Sequence, residues 1–189
     1  LWESIGKKLP GPRTKVDIAD WVPPDELIGA LHSLYRSYER AYDHWERELK
    51  PLNHPPPVFI VVCPSTKVSK LVHDWIAGTE ITRDDGPTQS IPGHLSLFMN
   101  ADEDSRGYAR PRTILVDSAQ LESGEAMKKD FKAAAAAEIE AFKRDLRLAN
   151  PGANVDDISD EDLLREVMNT VGKQGRLGEG VRCVVSVAM

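Results

Sequence analysis

A three-layer α/β fold, with an open and mostly parallel sheet carrying helices on both faces, is predicted by three observations. Three short stretches, VFIVVC at 58–63, TILVDS at 113–118 and VRCVVSVAM at 181–189, are apolar and β-branched almost throughout. Runs of this kind read as strands covered on both faces, the usual state in parallel sheets. Segments with helical spacing separate them, and strands alternating with helices build α/β layers joined by right-handed crossovers. Finally, 189 residues with 41% hydrophobic and 29% charged content form an ordinary globular balance, long enough to bury a core without staples.

In chain order, residues 1–24 are rich in proline, glycine and charge. They read as an arm, with Trp2 and Trp21 as anchors. After Pro23 and Pro24, the stretch DELIGALHSLYRSYERAYDHWERELK places Leu27, Leu31, Leu34, Tyr38, Tyr42, Trp45 and Leu49 three and four apart, on one helical face. Asp25 is the expected N-cap. The aromatic stripe is read as packing against a neighbouring element, with a partner surface as the alternative. Four prolines within 51–57 end this helix. The chain thus divides into an arm and amphipathic helix, 1–57, and an α/β unit, 58–189.

The first strand, 58–63, runs into a turn of Pro64, Ser65, Thr66 and Lys67. Val68, Leu71, Val72, Trp75 and Ile76 then follow at helical spacing, and Gly78 can close that helix. Residues 79–112 read as irregular, with one short strand around HLSLF, 94–98. Their acidic cluster DEDS reads as a solvated loop rather than a metal site. After the strand at 113–118, Met127, Phe131, Ala135, Ile139, Phe142 and Leu146 mark one face of a long helix, with five alanines at 133–137 raising its intrinsic helicity. Pro151 and Gly152 stop it. Ser159 is placed to cap a shorter helix carrying Leu163, Leu164, Val167, Met168 and Val171. The loop GKQGRLGEG leads into the last strand.

Charge and motifs narrow the chemistry. The net charge is −6 and the pI about 5.4, whereas a nucleic-acid module acting alone is usually basic. A nucleic-acid contact here has to be local. Cys63 and Cys183 each sit inside an apolar run and read as buried thiols of a cytoplasmic protein. No run of about 18 apolar residues is present to span a membrane. There is no GxxxxGK[ST]; GKQG at 172–175 precedes a strand, where a P-loop precedes a helix. Without that partner, Asp117 reads as a strand-end or capping residue rather than a magnesium ligand. No CxxC or HExxH marks a zinc site. The histidines, at 32, 44, 54, 73 and 94, have no fixed-spacing nucleophile. Cys63 as a strand-end nucleophile lacks a recognisable base. No catalytic residue and no metal ligand is assigned.

The turn after the first strand remains. In open α/β sheets ligands bind at the carboxyl ends of strands, where a helix N-terminus offers N–H groups and partial positive charge. Ser65 and Thr66 add hydroxyls and Lys67 a full charge. Together they suit one phosphate of a nucleic-acid backbone, without base information. Plain helix capping by Ser65 or Thr66 is the competing reading, and the two are compatible.

Four stretches then resemble the Res (restriction-helicase) subunit of type III restriction enzymes, which are superfamily 2 helicases. They are LWESIGKKLP, PPVFIVVC with SKLVHDWIAG, RPRTILVDSAQLESGEAM, and DEDLLREVMNTVGKQGRLGEGVRCVVSVAM. The resemblance implies that 58–189 is a truncated second RecA-like lobe, with the phosphate-contacting motif IV at Val58 to Ser69. Pro64 and Ser65 stand where relatives commonly carry asparagines, and proline removes one backbone donor. A parent protein would supply the rest: a first helicase lobe holding ATP and magnesium, the arginine-bearing motif, a nuclease domain and a modification subunit as partner. This chain would bring a DNA-facing surface, with no cofactor of its own. The absence of an initiator methionine and the end within VVSVAM lead to the expectation of a segment excised from a longer chain. The alternative is a self-contained, non-catalytic α/β module that binds a protein through its aromatic helix.

Overall fold

A computed structural model describes residues 2–11, 14–16, 20–81, 86, 88–102, 104–116, 132, 134–150 and 158–188. Asp117, Met127, Phe131, Pro151 and Gly152, to which the sequence assigned roles, lie outside the described residues, as does the side chain of Trp2.

The arm forms a short helix, α1 (Trp2–Lys8), whose Ile5 is buried. Helix α2 (Asp25–His44) follows, prolonged by a π turn at Trp45–Leu49 and a 3₁₀ turn at Lys50–Leu52. Its cap differs from expectation. Pro24, in extended conformation, occupies the N-cap without a side-chain bond, and Asp25 is the first helical residue. There its carboxylate still favours the positive end of the helix dipole. The buried stripe differs too. Leu34 is exposed, while Tyr35, one position on, is buried with Leu27, Leu31, Tyr38 and Trp45. A period of 3.6 allows either residue after Leu31. Tertiary bonds select Tyr35: its hydroxyl lies 3.0 Å from Ser96 Oγ and accepts the Leu97 N–H at 3.0 Å.

The three anticipated strands are present: β1 (Phe59–Cys63), β4 (Thr113–Val116) and β5 (Cys183–Val187). They form one parallel sheet in the order β1-β5-β4, with Phe59 and Thr113 both level with Cys183. Helix α3 (Thr66–Ala77) follows β1 and ends at Gly78, whose φ of 87° favours glycine. Helices α4 (Ala136–Ala149) and α5 (Asp160–Asn169) follow β4. Ser159 caps α5 in a capping box with Asp162, as its position in the sequence indicated.

Helices cover both faces. On one, α2 and α3 place Leu31, Tyr38, Val72 and Ile76 against Cys63, Leu115, Cys183 and Val185. On the other, Leu163, Leu164 and Val167 of α5, with Ala135, Ile139 and Phe142 of the α4 segment, pack on Ile114, Val116 and Val184. The second cover does not reach β1, and here the reading of VFIVVC as doubly covered fails. Ile60 and Val62 are 65% and 60% exposed. β1 is one of the two edge strands, and among the described residues the α4–α5 layer packs over β4 and β5 alone.

Residues 79–112 hold more order than their composition suggests. β2 (Gly78–Ile81) and β3 (Gln89–Pro92) pair as an antiparallel ribbon apart from the main sheet. The strand anticipated around HLSLF is instead a 3₁₀ turn at Ser96–Phe98. Its fully buried residues, Leu95 and Phe98, are three apart, which matches the turn's period.

Candidate functional site

The sheet connections define where a ligand could sit. α3 leaves β1 toward one face, and α4 and α5, after β4, occupy the other. The carboxyl ends of β1 and β4 therefore flank that of the central β5. In open α/β sheets ligands bind at the carboxyl ends of the strands. The ladder between β1 and β5 runs to its very end, since the Ala188 N–H donates to the Cys63 carbonyl at 2.9 Å.

The turn Pro64–Lys67 stands at the carboxyl end of β1, where α3 begins. Ser65 is the N-cap of α3; its Oγ accepts the Val68 N–H at 3.3 Å, and its carbonyl accepts the Ser69 N–H at 2.9 Å. The hydroxyl proton of Ser65 is still available to donate. Thr66 is exposed at the first helical position, and its carbonyl accepts the Ser69 hydroxyl at 2.8 Å. Lys67 turns away toward the arm, where Nζ donates to the Thr14 carbonyl at 2.5 Å. The structure therefore brings Ser65 and Thr66 to the strand end and ties Lys67 to the N-terminal arm. Sequence reasoning had no signal for that tie, which joins residues 53 positions apart through a backbone carbonyl.

The remaining candidates find structural roles. The Cys63 thiol is buried at the end of β1, and desolvation pushes its pKa up to about 11. The nucleophilic thiolate is thereby suppressed at neutral pH. Of the acidic loop, Asp102 Oδ1 accepts the N–H groups of Asp104 and Arg106, and Asp104 pairs with Arg106. This is a turn clamp. No group of three or more His, Cys, Asp or Glu side chains able to hold a metal occurs among the described residues. Two of the scattered histidines do meet: His94 stacks on Trp75 at 4.5 Å, and His32 meets the same ring edge-on at 5.9 Å. The buried Asp74 carboxylate receives Lys70 at 2.9 Å and lies 2.9 Å from His73 Nδ1. Among the described residues none of these histidines hydrogen-bonds to a hydroxyl or a thiol.

A concavity of about 400 Å³ opens at the opposite end of the sheet, where the amino ends of the strands meet the end of α2. Its polar wall includes Lys50, Arg110 and Arg182. These residues are spread over more than half the chain, so no motif could have grouped them. Compared with known proteins, the chain matches no family model, no curated protein and no solved structure.

Proposed function

We propose that this chain is the second RecA-like lobe of a superfamily 2 helicase, from the Res subunit of a type III restriction enzyme, and that its part is to present a DNA-phosphate contact at the start of α3. The observation that carries the reading is the Ser65-capped helix opening at the carboxyl end of β1, beside the central strand of a parallel sheet. The four sequence stretches quoted above supply the family. An open α/β layer with helices on both faces is the scaffold such a lobe needs.

In this reading DNA phosphate meets the Ser65 hydroxyl, the exposed Thr66 and the helix dipole, with no base read. ATP and magnesium bind with the first lobe of the parent protein. Phosphoryl transfer there depends on positioning and charge stabilisation by groups this chain does not carry. A modification subunit would bring the recognition sequence. The rival reading, a protein-binding module using its aromatic helix, loses its surface: Leu27, Leu31, Tyr38 and Trp45 are buried in the core.

The test is a titration of the chain with short DNA across a range of salt. Weak binding that falls steeply with salt is expected. Thr66→Ala should weaken it without lowering the melting temperature, since that side chain is exposed. No DNA binding at low salt, or magnesium-dependent ATP hydrolysis lost in Asp117→Ala, would overturn the reading.

A further inference from the structure

The concavity at the amino ends of the strands holds N–H donors that take no acceptor among the described residues. Arg182 stacks its guanidinium on Tyr42 at 4.7 Å and donates from Nη1 to the Leu97 carbonyl at 3.3 Å. An arginine has five N–H groups in a planar fork, and among the described residues no other bond from this one is recorded. Arg110 spends Nη2 on the Ala134 carbonyl at 2.8 Å and on Glu138 Oε1 at 2.7 Å, and among the described residues Nε and Nη1 make no hydrogen bond. Lys50 lies over the Trp45 ring at 5.4 Å and keeps a long, exposed ion pair with Glu46 at 3.8 Å, of the kind worth little in water.

The acids on the same wall are already engaged. Glu138 is held by Arg110, which draws its carboxyl below the ordinary range. Glu179 accepts the Gly175 N–H at 2.9 Å. Three cations line the wall with two carboxylates, a formal excess of one positive charge, with Glu46 paired to Lys50 from outside the lining. The apolar share of the lining comes from Tyr42, Trp45, Pro56 and Val181. A volume of about 400 Å³ lies within the range of small-molecule sites.

We infer that this cleft binds an organic phosphate of mononucleotide size, with its phosphate on Lys50, Arg110 and Arg182 and its ring body against the apolar wall. Guanidinium groups favour phosphate because their fork fits two of its oxygens at once. The cleft lies at the opposite end of the strands from Ser65, so it is separate from the DNA contact proposed above and does not depend on it.

Calorimetric titration of the chain with adenosine 5′-monophosphate, adenosine and inorganic phosphate tests this. The monophosphate should bind, and more tightly than either part alone. Lys50→Gln, an exposed change that leaves the core intact, should weaken it about tenfold, the order expected for one charge-assisted bond. Ser65→Ala should leave it unchanged. Competition by a 5′-phosphorylated oligonucleotide would assign the cleft to strand ends, and failure to compete would assign it to free nucleotides; both uphold the site. No binding of the monophosphate at millimolar concentration, or binding that Lys50→Gln leaves unaltered, overturns it.

Discussion

Asn100 fastens the start of β4 with a single side chain. Its Oδ1 accepts the N–H groups of Arg112 and Thr113 at 2.8 and 2.9 Å, and its Nδ2 donates to the Thr113 carbonyl at 2.9 Å. Thr113, itself buried, donates from Oγ1 to the Phe98 carbonyl. The edge strand is thus tied to the 3₁₀ turn through one amide. Asn100→Ala should cost about 2 kcal/mol in urea unfolding, because buried backbone groups lose partners, while Asn100→Asp should recover part of it through the retained oxygen. The two thiols give a second test at this scale. Burial raises Cys63 from 9.0 to about 11 and Cys183 from 9.0 to about 12. A raised folded pKa means stability present below the unfolded value and lost above it. Unfolding curves should therefore shift to lower denaturant between pH 9 and 11, and the double Ser variant should show a smaller shift, the remainder coming from the buried Tyr35 and Tyr38 hydroxyls, which burial also raises.

Element ends and faces differ in how far sequence alone could place them. Gly78 and Ser159 act where the spacing put them, because cap chemistry is local. Ser65→Ala should cost about 1 kcal/mol by thermal unfolding, the ordinary value of a lost N-cap. If DNA affinity falls together with stability, and Thr66→Ala alone also weakens binding, the turn serves both as cap and as contact. If only stability falls, Ser65 is a cap. Elsewhere local pattern misled. HLSLF alternates Leu95 with Leu97 as a strand would, yet the buried pair is Leu95 with Phe98. The β2–β3 ribbon carries glycine, threonine, glutamate and glutamine without apolar alternation. Gly78, level with Pro92, lets the two strands approach: an added Cβ there would meet the Ile91 carbonyl at 2.8 Å. Such close approach of two backbones leaves no periodic trace.

At the scale of the whole molecule, the described residues close one face of the sheet and cover the other over β4 and β5. Ile60 and Val62 together form the open part, at the edge of β1. Replacing both by threonine should change unfolding free energy by less than about 0.5 kcal/mol, as for other exposed positions. A loss of about 3 kcal/mol or more, the order for two buried aliphatic side chains, would mean that this face is covered in solution.

The sequence by itself determined three strands, the helices between them, two caps and the α/β class, because apolar runs, period and cap residues act within a few positions. It also singled out the Ser65 turn, since a small hydroxyl-bearing turn between strand and helix is a contiguous signal. Only the tertiary structure decided the strand order β1-β5-β4, the choice of Tyr35 over Leu34, the tie from Lys67 to the arm and the grouping of Lys50, Arg110 and Arg182. Each of these joins residues far apart in the chain. Long-range partners are chosen by packing and by the satisfaction of buried donors, and neither is written in any one stretch of sequence.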